Sequence, residues 1–303
     1  MIHRTRYGRD DVVPSSSFAL AYGSDYQLTD AMLMAELSAL VYEKSHVSQA
    51  QLKDWGYTEA DYVWVDDSES GTQFFVTGND KHVVVSFRGT TTLGDVATDL
   101  NILKTPEPGS AGRVHRGFKK ALDGVWQTHV LPAVARVLRG RQLYVTGHSL
   151  GGALAQLAAY RLQRAGHAVT AVYTYGSPYV GDEGFVSSYD ALLGERTHNH
   201  INHNDVVTRS PPWWTGYRLA AKGQAWRFVG HGHELGRVDD AGLRAADPRP
   251  EGVRIMPEGL VKMDLETKRL LAERLAIADR AISLATRERT ESPAEMESVA
   301  YGS

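Results

Sequence analysis

The residues whose types and spacing most clearly indicate a chemical reaction are Gly-His-Ser-Leu-Gly at 147–151. They follow an apolar run typical of a strand, 142–146, and precede an alanine-rich run typical of a helix, 153–164. A serine on such a strand-to-helix turn presents its hydroxyl above the edge of the sheet, and the flanking glycines leave room for neighbouring backbone. We therefore predict that Ser149 is a nucleophile.

The two neighbours of Ser149 have different expected roles. Leu150 opens the following helix, where backbone N–H groups point toward an anion, so we predict that its N–H is a donor of an oxyanion hole. His148 adjoins Ser149 in sequence, but neighbouring side chains on a sharp turn point apart. We expect a structural role for His148 rather than a catalytic one.

The elements around this turn alternate between strands and helices. Runs of apolar and β-branched residues predict strands at 62–65, 73–77, 82–87, 142–146 and 169–175. Helical spacing of apolar residues predicts helices near 28–41, 117–139 and 153–164. Thr29 or Asp30 could cap the first helix. This order predicts an α/β fold with a mostly parallel central sheet and helices on both faces.

The chain divides into a predicted leader, one main domain, a helix and a tail. Residues 1–27 are polar and form the leader, and residues 28–260 form the domain. The segment 261–290 has apolar residues at helical spacing between charges, which predicts a long amphipathic helix packed on the domain. A dimer interface and a lipid-surface helix are the alternatives. Residues 291–303 are predicted to be a flexible tail.

Composition narrows the classes of partner and of site. Hydrophobic residues make up 42% of the chain and charged residues 23%, and the net charge of -3 comes without a basic stripe, which argues against nucleic-acid binding. The absence of cysteine excludes disulfides and thiolate metal sites. No apolar run fits a transmembrane segment or a secretory signal, so we expect a protein that is cytoplasmic, or exported without a recognisable signal peptide.

Three histidines near position 200 raise the question of a metal site. His198 and His200 would share one face of a strand, and His203 follows closely. Because no nearby carboxylate other than Asp205 obviously completes a site, we expect no metal site and interpret the three as a surface histidine cluster. The chemistry predicted for Ser149 needs no cofactor.

Five ordered blocks of the sequence resemble the lipase class 3 family, the fungal-type triacylglycerol lipases and their relatives. The blocks, within a resemblance over 28–240, are VVVSFRGT (83–90), VHRGF (114–118), VTGHSLGGALAQLAA (145–159), YTYGSPYVGDEGF (173–185) and NHNDVVTRSPP (202–212). The resemblance implies an α/β-hydrolase fold and a serine ester hydrolase that forms an acyl-enzyme on Ser149. Its substrate would be an acylglycerol or another lipid ester, with peripheral lipid-surface contact; phospholipase A1-type activity is an alternative.

The resemblance also implies roles for residues outside the Ser149 turn. Asp205 would be the acid member of a triad, which orients the catalytic histidine. The alternative is that Asp205 caps the turn before Pro211 and Pro212. Thr90 resembles the residue that completes the family's oxyanion hole. The segment from Thr91 to about Thr105 lies where the family carries a lid, and an ordinary connecting loop is the alternative.

The sequence departs from the family's pattern at the catalytic histidine. Only His231 and His233 follow Asp205, in a segment where the family's histidine is normally not the catalytic one. In one hypothesis His233 or His231 is recruited as the base, which requires the Gly-His-Gly-His turn at 230–233 to reach the sheet edge. In the other, the triad is incomplete, and the chain is a catalytically impaired lipase-like protein that binds lipid or a protein partner.

Overall fold

The structure is a computed structural model, and it describes residues 20, 23–89, 102–202, 207–209, 211, 215–221, 225–229 and 234–237. Its α-helices are α1 (Leu28–Leu40), α2 (Ser45–Asp54), α3 (Arg116–Val125), α4 (Leu131–Leu138), α5 (Leu150–Arg164) and α6 (Glu183–Leu193). A π-helical turn, Trp126–Val130, joins α3 to α4, and short 3-10 turns span Glu59–Asp61, Gly194–Arg196 and Val207–Arg209. None of these helices is long and apolar enough to cross a membrane.

The strands form two sheets. They are β1 (Val63–Asp67), β2 (Thr72–Gly78), β3 (His82–Phe87), β4 (Lys104–Pro106), β5 (Arg113–His115), β6 (Gln142–His148), β7 (Val169–Tyr175), β8 (Gly181–Asp182), β9 (Thr197–Asn202), β10 (Tyr217–Arg218), β11 (Ala225–Val229) and β12 (Glu234–Arg237). The central eight-stranded sheet has the order β1-β2-β3-β6-β7-β9-β11-β12, and the small antiparallel sheet has the order β10-β8-β5-β4. In the central sheet β3, β6, β7, β9 and β11 run parallel, so the predicted parallel arrangement is confirmed.

The two faces of the central sheet bury separate hydrophobic cores. Val83 and Val85 of β3 join the core that contains α3, α4, α5 and α6. Val84, between them, joins the core that contains α1 and α2. This alternation is the two-residue period of a strand, and burial of both faces explains why β3 reads as a continuous apolar run. The predicted helices on both faces are confirmed.

Some predicted boundaries differ from the structure. Gln27 occupies the N-cap of α1, so the prediction of Thr29 or Asp30 at that place is wrong. The strands β4 and β5 were not predicted, because three residues are too few for a periodic signal. The predicted C-terminal helix and tail, at 261–290 and 291–303, lie outside the described residues, as does most of the predicted leader.

The five parallel strands place their carboxyl ends at one edge of the sheet. These ends are Phe87 of β3, His148 of β6, Tyr175 of β7, Asn202 of β9 and Val229 of β11. Open α/β sheets bind their ligands outside this edge. The segments that follow these five residues are therefore where the fold would place chemistry.

Candidate active site

Ser149 stands on a strained turn between β6 and α5. Its backbone has φ 54° and ψ -129°, a combination that residues with a side chain rarely adopt. Its N–H donates to the carbonyl of Tyr175 at 2.8 Å, and its own carbonyl accepts from the N–H of Gly152 at 2.9 Å. The end of β7 and the first turn of α5 therefore hold the serine in this conformation.

Glycines beside Ser149 allow the strand ends and the helix to touch. A Cβ at Gly147 would lie 2.2 Å from the carbonyl oxygen of Gly151, and a Cβ at Gly151 would lie 2.2 Å from the carbonyl oxygen of Phe87. Real Cβ atoms do not approach backbone this closely, so both positions require glycine. The predicted strand, turn and helix are confirmed, and the nucleophilic role of Ser149 stays a prediction.

The hydroxyl of Ser149 is buried and makes no hydrogen bond to the described residues. The residue is 2% exposed, and Oγ has no hydrogen-bond partner within the part of the chain that the structure describes. Buried hydroxyls normally have a partner, and an unpaired one is a feature of reactive sites. Leu150 is the first residue of α5, so its N–H has no acceptor within the helix and is available to a developing oxyanion.

The turn after β3 lies against the Ser149 turn. A Cβ at Gly89 would lie 2.6 Å from the carbonyl oxygen of His148 and 3.3 Å from Cβ of Ser149. The N–H of Gly89 donates to the hydroxyl of Tyr42 at 3.0 Å, and that hydroxyl lies 3.2 Å from Nδ1 of His148. Thr90, the next residue, is outside the described residues, so its place in an oxyanion hole stays a prediction.

The predicted acid and base, Asp205 and His231 or His233, also lie outside the described residues, so their approach to Ser149 stays a prediction. The structure defines the strands that precede them. Asp205 comes three residues after Asn202, the end of β9, and His231 comes two residues after Val229, the end of β11. Val229 pairs with Glu234 of β12, so residues 230–233 connect two adjacent strands.

The histidines of β9 are buried, so the predicted surface histidine cluster is wrong. His198 and His200 are 1% and 2% exposed, and both rings contact Tyr26 and Tyr173. Because β9 is a central strand covered on both faces, polar residues on it do not reach the surface. His203 lies outside the described residues, and within them no three side chains come together as metal ligands.

Burial of His200 predicts that acid destabilises the fold. Desolvation, reinforced by the nearby His198, lowers the pKa of His200 to about 3 in the folded chain. The pKa of a histidine in the unfolded chain is about 6.5. As the pH falls below that value, the unfolded chain gains a proton that folded His200 does not accept. The free energy of unfolding should therefore fall by up to about 1.4 kcal/mol per pH unit from this residue alone.

Denaturant unfolding at about pH 6.5 and about pH 5, above the range where most carboxyl groups titrate, measures this effect. His200→Gln should lower the pH dependence of stability in that interval. His46→Gln, at an exposed position, is the control and should leave the dependence unchanged. The same dependence in wild type and His200→Gln would contradict the prediction.

Comparison with known proteins matches the middle part of the chain to one family. A family model described as Lipase (class 3) matches residues 84–214. Secreted mono- and diacylglycerol lipase 1 of Fusarium solani is 36% identical over 143 residues, which are 46% of this chain and 42% of that protein. The lipase of Rhizomucor miehei is 29% identical over 177 residues, 56% of this chain and 48% of that protein. The matches thus span less than half the length of these two relatives.

Solved structures show the same architecture. Lipase II from Rhizopus niveus has a TM-score of 0.59 and 25% identity, over 70% of this chain and 82% of that chain. The lipase from Rhizopus microsporus var. chinensis has a TM-score of 0.54 and 27% identity, over 66% of this chain and 73% of that chain. Together with the strand order, these likenesses confirm the predicted α/β-hydrolase fold.

Proposed function

Because residues 84–214 of this chain match the class 3 lipase family, we propose that it is a serine hydrolase that cleaves acylglycerols or other lipid esters. The observation that carries the proposal is Ser149, buried on a strained turn at the carboxyl edge of the sheet with its hydroxyl unpaired among the described residues. A nucleophilic serine of an α/β-hydrolase occupies this kind of turn.

In the proposed reaction, Oγ of Ser149 attacks the ester carbonyl carbon and its proton passes to a histidine, His231 or His233. The carbonyl oxygen becomes an oxyanion that accepts hydrogen bonds from the N–H groups of Leu150 and Thr90. Collapse of this intermediate expels the alcohol, which takes the proton from the histidine, and leaves an acyl-enzyme. Water, deprotonated by the same histidine, then releases the fatty acid. Asp205 would orient the histidine throughout.

The sheet order supports this assignment of acid and base. Neighbouring strands lie about 4.8 Å apart, so the end of β9 is roughly 10 Å from the end of β6 across β7. Asp205, three residues beyond β9, has about 10 Å of extended chain with which to approach Ser149. His231 follows β11, the next strand in the sheet, at the same edge. Acid and base would thus come from adjacent strands.

A second candidate function is binding of a lipid without hydrolysis. It is favoured by one observation, that no histidine follows His233 in the sequence. A chain in which neither His231 nor His233 serves as base would keep the Ser149 turn and the proposed oxyanion donors. Such a protein would bind lipid and turn it over only slowly.

Hydrolysis of p-nitrophenyl esters with short and long acyl chains tests the proposal, with Ser149→Ala as the blank. Wild type should hydrolyse the esters and react with a fluorophosphonate probe, and Ser149→Ala should do neither. Wild type that matches the blank on every ester and resists labelling would refute the proposal. Fatty-acid binding by that inactive wild type would then favour the second candidate.

We also propose that the protein acts at a lipid surface outside the cell. Ile102 and Leu103 are adjacent and about half exposed, at 50% and 48%. Neighbouring exposed apolar side chains suit peripheral contact with a lipid surface. The relative from Fusarium solani is named as secreted, which supports export of this chain.

A further inference from the structure

Tyr42, just beyond the end of α1, contacts both backbone segments that would form the oxyanion hole. Its hydroxyl accepts the N–H of Gly89 at 3.0 Å and lies 3.2 Å from Nδ1 of His148. Gly89 directly precedes Thr90, and His148 directly precedes Ser149. One hydroxyl therefore connects the turn after β3 to the turn after β6.

The Tyr42 hydroxyl can accept one of these hydrogen bonds and donate the other. A phenol that accepts a bond from an N–H group keeps its own proton for a second bond. In the His148 tautomer that carries its proton on Nε2, Nδ1 accepts that second bond. Gly89 and His148 are both buried, so removal of the hydroxyl would leave a buried N–H and a buried ring nitrogen without this partner.

The ring of Tyr42 is itself held in place. The guanidinium carbon of Arg88 lies 5.2 Å from the ring centroid, and Arg88 also bonds to the side chain of Gln73 on β2. A Cβ at position 89 would lie 2.4 Å from the Tyr42 oxygen, so Gly89 is what permits the direct contact. The hydroxyl is thus fixed by β2, by β3 and by the Ser149 turn.

We propose that Tyr42 is a positioning residue of this hydrolase, whose hydroxyl holds the backbone at Gly89 against the Ser149 turn and so fixes the N–H of Leu150 relative to the segment after β3. The inference rests on the proposed function of Ser149. Oxyanion donors are effective only when they lie about 3 Å from the oxygen that becomes charged. Tyr42 acts on the reaction through Gly89 and His148, which its hydroxyl contacts, and not by touching the substrate.

Tyr42→Phe removes only this hydroxyl, and the chain offers a matched control. Tyr57→Phe removes a hydroxyl that lies 2.9 Å from Nε2 of His82, a Tyr–His pair at the opposite end of β3 from Gly89. We expect Tyr42→Phe to lower kcat for p-nitrophenyl esters about tenfold with little change in KM, and to slow fluorophosphonate labelling of Ser149 by a similar factor. Tyr57→Phe should lower Tm as much and leave kcat within about twofold of wild type.

The outcomes separate this inference from the proposed function. If wild type is active and the two variants Tyr42→Phe and Tyr57→Phe have equal kcat, the role of Tyr42 is overturned and the proposed function stands. A rise in KM alone would also overturn it, because a displaced oxyanion donor lowers the stabilisation of the transition state and not the affinity for the substrate. Wild type no faster than Ser149→Ala would overturn both.

Discussion

Ester hydrolysis should fall to the level of Ser149→Ala in one of the variants His231→Ala and His233→Ala, and stay near wild type in the other. A serine hydroxyl is a weak nucleophile until a base accepts its proton. Removal of the base from a serine triad lowers kcat by about 10⁴-fold to 10⁶-fold. His231 and His233 are the two histidines that follow Asp205 in the sequence, and both lie within three residues of a described strand end.

Initial rates with a p-nitrophenyl ester measure this effect in the full-length chain. His46→Ala is the control for a histidine substitution, because His46 is exposed on α2. Tm should be measured beside the rates, so that loss of fold is not mistaken for loss of the base. If both variants retain wild-type rates while Ser149→Ala is inactive, recruitment of either histidine is wrong.

Gly147→Ala should abolish activity and destabilise the fold severely. The added Cβ would lie 2.2 Å from the carbonyl oxygen of Gly151, 2.4 Å from its carbonyl carbon and 2.9 Å from the nitrogen of Gly152. All three are backbone atoms in the first turn of α5, so relief of the clash requires the helix to move. Overpacking typically costs about 1–3 kcal/mol, and we expect this substitution to reach or exceed the upper value.

Urea unfolding and ester hydrolysis, measured on the same preparation of Gly147→Ala, test this prediction. Gly23→Ala is the matched control, because the nearest atom to its added Cβ lies at 3.9 Å, an ordinary contact distance. Its stability should lie within about 0.5 kcal/mol of wild type. A stable Gly147→Ala variant with normal activity would contradict this prediction and show that α5 can move away from β6 at little cost.

The central fold is predictable from sequence because its strands are buried on both faces. His82–Phe87 and Val169–Tyr175 have the predicted bounds, since each is a continuous run of apolar and β-branched residues between turn signals. The turn at Ser149 is predictable for another reason. Its glycine spacing is a local pattern, and the backbone that Gly147 approaches belongs to Gly151 and Gly152, a few residues along the chain.

Other parts depend on contacts that no local pattern carries. Tyr42 meets Gly89 across 47 residues and His148 across 106, so its place at the active site cannot be read from α1. Burial of His198 and His200 likewise depends on the central position of β9, which only the assembled sheet determines. The roles of Asp205 and Thr90 rest on the family resemblance and remain proposals.

The backbone strain at Ser149 also has a cost in the stability of the fold. A residue with a side chain in such a conformation costs about 1–3 kcal/mol, most of which glycine would avoid. A lineage that no longer used the hydroxyl would gain stability from a single codon change at this position. A serine in this strained conformation is a cost that the proposed hydrolysis would explain.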